Sequence, residues 1–347
     1  MNVSHLLAVF PARRDAILQL AEYWQPGRVV ALSTHINADG DGCGSESGLA
    51  RLLAQRGVTV RIVNPTPWPT LFAFLLGDDL HDAMREGAAA LQGVDALVVV
   101  DINEMARLGT LADCVRALTV PKLVIDHHVA SNDPAGDVVF ADATACATGE
   151  LIFDLARTLD LEITPAIARS LYTAILTDTG GFRFSNTSPR AHAIAAELLS
   201  VGVNQEEIYR RVYASAPVGR VRLLAEVLQS LGVDESVGLS WLSMRAGALA
   251  DYNVRQEDLD GIVEHARSID GTKLAIFFRD LGHRRVKASF RSTTGFDANV
   301  FARRYGGGGH VRAAGALIIG SMDEVRERVL ADARAELASL GKGSGTP

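Results

Sequence analysis

Four short runs dominate the first half of the chain: RVVALST (28–34), VTVRIVN (58–64), DALVVVD (95–101) and KLVIDHH (122–128). Each is apolar at nearly every position and rich in β-branched residues. A strand with one wet face alternates apolar and polar side chains, so continuous runs of this kind belong to strands covered on both faces, as in a parallel sheet. Helical patterns at 45–56 and 81–92 supply the crossovers that parallel strands require. The first half therefore predicts a doubly wound, mostly parallel α/β domain, in which ligands bind beyond the carboxyl ends of the strands.

From about 144 to 230 the pattern is mostly helical, and after Val233 strands return in VGLSWLSM, TKLAIFFRD, RRVKASFRS and ALIIG, with helices near 255–268, 297–304 and 322–339. This predicts a catalytic domain over 1–190, a helical linker over 191–234, a smaller α/β domain over 235–340 and a flexible tail at 341–347. At 347 residues the chain is long enough for two cores. A net charge of −7 makes global attraction to nucleic acid unimportant, although a locally basic cleft remains open. No apolar run approaches the roughly 20 residues of a membrane helix. The N-terminal MNVSHLLAVFPARRD lacks the pattern of a secretion signal, and three scattered cysteines form no disulfide framework. The expectation is a reduced, cytoplasmic setting with no membrane partner.

The acidic residues and histidines are not scattered. His35, Asp39 and Asp41 follow the first run, Asp101 ends the third, Asp126, His127 and His128 end the fourth, and Asp178 ends YTAILTD. A lone aspartate after a strand is usually a turn former or helix cap, and a lone His-His pair is usually surface or core. Four such groups at corresponding segment ends converge on one edge of a parallel sheet. Carboxylates that close raise one another's pKa, so a cation is expected among them. Lysine is absent from all four motifs, which leaves metal ions. Asp39, Asp41, Asp101 and Asp178 carry about the charge that two divalent cations cancel. Mixed imidazole and carboxylate donors suit Mn²⁺ better than an all-oxygen Mg²⁺ site, with Mg²⁺ or Co²⁺ as substitutes. Gly40, Gly42 and Gly44 are read as letting the backbone wrap closely around the ions. Cys43 has no independent base and is not read as a nucleophile.

These motifs resemble the DHH phosphoesterase superfamily, and within it the bacterial nanoRNase/pAp phosphatase type. HINADGDGCGS, Asp101, the Asp126-His127-His128 triplet and TDTGGFRFSNTS are similar to the four motifs of its N-terminal domain. FRSTTGFDANVFARRYGGGGHVRAAG (290–315) resembles the DHH-associated C-terminal domain. Ala38, where the family usually has proline, and Cys43 are departures that remove no ligand. The resemblance implies a dinuclear site in an interdomain cleft. His35, Asp39 and Asp101 would hold one metal, and Asp41, Asp101, His127 and Asp178 the other, with Asp101 bridging. Asp126 would orient an imidazole and His128 would face the substrate. Spacing alone does not distinguish His127 from His128. The implied chemistry is in-line attack on phosphorus by a hydroxide shared between the metals.

In the second domain, consecutive glycines let backbone N–H groups turn toward an anion, and arginine forks onto phosphate. Gly307, Gly308, Gly309 and His310, with Arg291, are therefore read as an anchor for a substrate phosphate. Arg303 and Arg304 are left as helix caps, and Tyr305 as either packing or a base contact. An anchor opposite a hydrolytic site acts as a ruler for short substrates. The expected function is hydrolysis of short oligoribonucleotides to mononucleotides, with dephosphorylation of pAp. Hydrolysis of cyclic di-AMP or pApA is the nearby alternative, and a non-catalytic nucleotide sensor the alternative from another class. A family pyrophosphatase is disfavoured because its basic C-terminal motif is missing. A processive exonuclease is disfavoured because there is no OB-like domain or long basic surface. Exposed helix faces are compatible with a homodimer.

Overall fold

The computed structural model describes residues 3–129, 132–259, 261–293 and 295–342. The chain folds as two units, Met1–Ala214 and Ser215–Pro347.

In the first unit, β1 (Val29–Ser33), β2 (Thr59–Ile62), β3 (Ala96–Val100), β4 (Lys122–Asp126) and β5 (Val138–Ala141) form one sheet in the order 2-1-3-4-5. Every neighbouring pair is parallel. Strand alternation explains the apolar runs. Ala96, Val98 and Val100 of β3 enter a core layer shared with α1 (Pro11–Ala21), α2 (Gly40–Gln55), α4 (Thr148–Thr158), α5 (Pro165–Asp178) and α6 (Pro189–Ser200). Leu97 and Val99 enter the opposite layer, with Leu108, Leu111 and Val115 beneath the short helix α3 (Ala112–Ala117). Both layers exclude water, so all five β3 side chains are buried. Full burial of a valine or leucine side chain contributes roughly 1.5–3 kcal/mol before entropy is counted.

The strand order reverses direction between β1 and β3. Chains leaving the carboxyl ends of these two strands diverge, which opens a crevice at that point. His35 to Asp41 leave β1 there, and Asp101 leaves β3.

In the second unit, β6 (Gly232–Asp234), β7 (Leu239–Met244), β8 (Leu274–Asp280), β9 (Arg285–Ser292), β10 (Gly308–Gly309) and β11 (Ala313–Ile319) form a mixed sheet in the order 10-11-9-8-7-6. Only β7 and β8 run parallel. Leu274, Ile276 and Phe278 of β8 face a layer with α11 (Ala298–Arg303) and α12 (Met322–Lys342), where Val325, Val329, Ala333 and Leu337 recur at helical spacing. Ala275 and Phe277 face the other layer, with α8 (Val218–Gln229), α9 (Ala248–Asp251) and α10 (Ile262–Arg267).

Several boundaries differ from expectation. Residues 191–234 are not a separate linker, because α6 and α7 (Gln205–Tyr213) lie in the first unit while α8 packs Leu223 and Val227 into the second. The stretch read as a helix at 81–92 is 3-10 turns at Met84–Leu91, broken where Gly87 takes a φ of 53°. The expected helix at 255–268 is a 3-10 turn at Gln256–Leu259 followed by α10. Strands β5, β6 and β10 carry no apolar run long enough to announce them. Of the expected tail, residues 343–347 lie outside the described residues. Among the described residues no helix is long and apolar enough to cross a membrane.

Candidate metal centre

Asp39 caps α2, its Oδ1 accepting from the backbone N–H of Asp41 at 3.0 Å and of Gly42 at 3.1 Å. The helix therefore begins at Gly40, five residues earlier than its apolar pattern suggests, and Asp41 is turned inward on its first turn. Asp41 is buried and grasped from three sides. Its Oδ2 accepts from Thr148 N–H at 2.7 Å, and its Oδ1 from Gly149 N–H at 3.0 Å and from the Ser45 hydroxyl at 3.0 Å. The N-terminus of α4 thus holds one carboxylate of α2, a favourable pairing of anion with helix dipole.

Asp101 is buried at the exit of β3 with a φ of 64°. A non-glycine residue in this left-handed region is strained, and such residues persist where the surroundings over-determine them. Its two oxygens face different histidines. Oδ2 lies 3.5 Å from His35 Nε2, and Oδ1 lies 3.7 Å from His127 Nε2 and accepts from Thr148 Oγ1 at 3.1 Å.

His35 Nε2 is also 3.8 Å from Asp39 Oδ1. Its Nδ1 stands 2.9 Å from the Ile36 carbonyl, which takes the ring proton on that side and leaves Nε2 to face the carboxylates. His127 Nε2 is buried and has no hydrogen-bond partner. It stands 3.7 Å from each of Asp41 Oδ2, Asp101 Oδ1 and Asp178 Oδ2. Those separations are too long for hydrogen bonds, and a small ion between the groups would satisfy all four. Among the described residues three sets of groups can therefore hold a metal: His35 with Asp39 and Asp101, Asp41 with His127 and Asp178, and Asp101 with His127 and His128. Asp101 belongs to two of them.

His128 is set apart. It is half exposed, and its Nδ1 lies 2.7 Å from Oδ1 of the fully buried Asp126. His128 Nδ1 also stands 3.9 Å from Asp101 Oδ1, so the two histidines differ in partner: Asp126 takes His128 Nδ1, whereas His127 Nε2 has no hydrogen-bond partner.

Asp178 corrects the expectation that all four groups leave strand ends. It is the last residue of helix α5, and Asn186 Nδ2 donates to its Oδ2 at 3.2 Å and its carbonyl at 3.1 Å. Helices α2 and α5 approach closely because a Cβ on Gly44 would stand 2.5 Å from the Ser170 carbonyl, and this contact brings Asp178 to the sheet edge. Gly44 and Gly40 thus serve helix packing. Only Gly42 lies against the centre, where a Cβ would meet Thr34 Oγ1 at 2.7 Å and fill space beside Asp101 and His35. Thr148 and Gly149 lie outside the quoted motifs, and Ser45 and Asn186 lie inside them without having been singled out, since each acts through a contact made only in the fold.

The electrostatics favour a cation among these carboxylates. Complete burial, then Asp101 and Asp178, push Asp41 well above the ordinary carboxylate range. Burial and the charges of Asp101 and Asp39 carry Asp178 from its ordinary 3.8 up to about 6, against the pull of His127. Although burial opposes it, the contacts with Asp101 and Asp39 raise His35 to about 9. Cys43 is fully buried and its thiol is pushed up, so it is no thiolate nucleophile.

These shifts fix the sign of a pH effect. A group whose pKa is raised by folding stabilises the fold below its unfolded value and loses that contribution as pH rises through the folded one. For Asp178 the loss runs from 3.8 through about 6, and for His35 from 6.5 through about 9. The metal-free protein should melt at a lower temperature at pH 8 than at pH 5. Metal binding displaces protons, so affinity should drop about tenfold per pH unit for each proton displaced, below about 9 for His35 and below about 6 for Asp178. Thermal melts with chelator and with Mn²⁺ at both values check this. A metal-induced increase in Tm that is equal at pH 5 and pH 8 would contradict the proton competition.

In the second unit, the glycine run serves strand packing and not an amide nest. Gly307 N–H donates to the Ala302 carbonyl at 3.0 Å, Gly309 N–H to Asn299 Oδ1 at 3.1 Å and His310 N–H to the Ala313 carbonyl at 2.7 Å. A Cβ on Gly307 would stand 2.1 Å from the Gly315 carbonyl, which explains the glycine. Gly308 pairs with Gly315 in the β10–β11 ladder. The side chains of Arg291 and His310 remain available. Arg291 lies 3.5 Å from Glu264 Oε1 and is one-third exposed, and His310 is exposed. Tyr305 is a packing residue, with its phenol on Asp332 and its ring against Phe290 and Phe301. Arg304 follows α11, and its side chain pairs with Glu336 of α12.

The DHH family N-terminal domain model matches residues 29–175, and the DHHA1 domain model matches 239–339. The chain is 34% identical to the bifunctional oligoribonuclease and PAP phosphatase NrnA of Thermus thermophilus, across 92% of this chain and 97% of that one. It is 28% identical to the Bacillus subtilis protein of the same description, across 87% and 93%. Among solved structures it resembles an exopolyphosphatase-related protein from Bacteroides fragilis, with a TM-score of 0.84, 27% identity and coverage of 94% and 98%.

Proposed function

The chain belongs to the DHH family, carrying its N-terminal domain followed by a DHHA1 domain, and from that premise we propose that it is a divalent-metal-dependent phosphoesterase that hydrolyses very short RNA to mononucleotides and dephosphorylates adenosine 3′,5′-bisphosphate. The observation that carries the chemistry is the buried, unpartnered His127 Nε2 facing three carboxylates. The substrate class follows the relatives, whose names join oligoribonuclease and PAP phosphatase activities.

In this reading His35, Asp39 and Asp101 hold one ion, and Asp41, Asp101, His127 and Asp178 hold the other. Mixed nitrogen and oxygen donors favour Mn²⁺. When bound, the ions supply Lewis acidity toward the phosphoryl oxygens and an activated water. Thr148, Gly149 and Ser45 keep Asp41 aimed, and Asn186 does the same for Asp178. Asp126 binds His128 Nδ1 and raises the imidazole above its ordinary value. The contact with Asp126 favours the protonated imidazole, which in that form donates to the phosphoryl group or to the departing oxygen. Arg291 and His310 bind a second phosphate of the substrate through their side chains.

The test is product analysis with Mn²⁺ on 5′-labelled RNAs of two to twenty-four nucleotides, adenosine 3′,5′-bisphosphate, pApA and cyclic di-AMP. Rapid turnover confined to the shortest RNAs and the bisphosphate is expected, with Arg291→Ala raising KM on both. Preference for cyclic di-AMP or for long strands would replace the substrate assignment. Binding without turnover would favour a sensor.

A further inference from the structure

Only four large aromatic side chains are openly exposed among the described residues: Phe10, Phe184, Tyr209 and Tyr213. Phe10 is accounted for, because the Arg13 and Arg190 guanidinium groups each stand 5.1 Å from its ring centroid. The other three gather beside Asp178. The Tyr213 hydroxyl donates to the Leu176 carbonyl at 3.3 Å, two residues before Asp178 on α5. Its ring lies 5.3 Å from that of Tyr209. The Phe184 ring covers Gly180, two residues after Asp178, so closely that a Cβ there would stand 2.5 Å from it.

The segment carrying Phe184 is tightly held. Gly180, Gly181 and Phe182 take φ values of 58°, 70° and 64° in succession. The Thr179 carbonyl accepts from the N–H groups of both Arg183 and Phe184, and Thr179 Oγ1 accepts from Phe182 N–H. Arg183 Nε donates to the Gly180 carbonyl at 2.6 Å. Asn186, at the end of the same turn, holds the Asp178 carboxylate. A phenyl ring with 56% of its surface exposed gains little from burial, so neither packing nor looseness accounts for this arrangement. Backbone strain of this kind at a non-glycine residue gathers at binding and catalytic sites.

We propose that Phe184 and Tyr213, with Arg183, form a nucleobase platform on the rim of the metal centre, which receives the base of the nucleotide whose phosphate is cleaved. Every base presents a π-face, so aromatic rings bind nucleotides with little sequence preference, and a guanidinium beside them adds attraction for both π-systems and phosphate. This suits an enzyme that must consume short strands of any sequence. The proposal rests on the phosphoesterase reading above.

The test compares kcat/KM for adenosine 3′,5′-bisphosphate with that for ribose 3,5-bisphosphate, which offers the same phosphates without a base. The wild type should prefer the nucleotide. In Phe184→Ala and Tyr213→Ala that preference should collapse by about tenfold, the scale of one base–aromatic stack. Phe184→Trp and Tyr213→Phe, which keep a ring, should retain it. A purely structural role would depress both substrates together and leave the ratio unchanged, which would overturn the platform, as would a wild type that turns over both compounds equally. A wild type that turns over neither compound nor the shortest RNAs would overturn the phosphoesterase reading, and the platform with it.

Discussion

Asp101→Asn is expected to abolish hydrolysis while leaving the fold intact, with kcat/KM falling by about 10³-fold or more, the scale of losing a major electrostatic stabiliser of the transition state. Asparagine is nearly isosteric with aspartate and tolerates the left-handed backbone, so the φ of 64° poses no new strain. What changes is charge. One carboxylate faces His35 with one oxygen and His127 with the other, so its loss weakens both metal sets at once. In the metal-free protein the same substitution removes one of four crowded negative charges and should hold or raise Tm. Metal content by equilibrium dialysis, a melt with chelator and steady-state rates decide the matter together. A variant that keeps two bound ions and a tenth of the activity would refute the shared role of Asp101.

Arg13→Ala should be the most destabilising single change in the first unit. Arg13 is buried and donates to Asp142 at 2.6 Å, to Glu150 at 2.7 Å and to Asp154 at 2.8 Å. Arg190 completes the cluster on Glu150, Asp154 and the carbonyls of Leu6 and Ala8. Without Arg13, two fully buried carboxylates share one guanidinium. Breaking a buried ionic network in this way costs about 3–5 kcal/mol, or roughly 6–20 °C in Tm for a unit of this size. Arg13→Lys should recover only part, because an ammonium lacks the planar fork that reaches three acceptors. A functional effect should accompany the loss. Glu150 Oε2 also accepts from Cys146 N–H at 3.1 Å, just before the Thr148 and Gly149 amides that grip Asp41. Metal affinity should therefore weaken by about 10–100-fold, as for other groups that orient ligands. A melt unchanged within about 2 °C would count against the network as a structural anchor.

The strands that position the centre were legible because burial on both faces forces unbroken apolar runs, and β1, β3 and β4 have them. β5 was not, since its four residues are only partly covered. Asp178 was grouped with the strand-end residues although it closes a stretch read as helical, and α5 ends on it. Its place on α5 depends on the close approach of α2, which a lone Gly44 does not declare. The glycine run at 306–309 invited the opposite error. An anion nest and a tight strand contact both require glycine, and only the hydrogen bonds of Gly307, Gly309 and His310 distinguish them.

The chain's own pattern determined that carboxylates and imidazoles meet where strand order reverses, because apolar periodicity sets the sheet and the sheet sets where its strand ends emerge. Which imidazole faces the carboxylates was decided by tertiary contacts. Asp126 captures His128, while His127 is left among Asp41, Asp101 and Asp178. One of these contacts is local, Asp126 to His128 two residues on, but the three carboxylates around His127 are distant in sequence and meet it only in the fold.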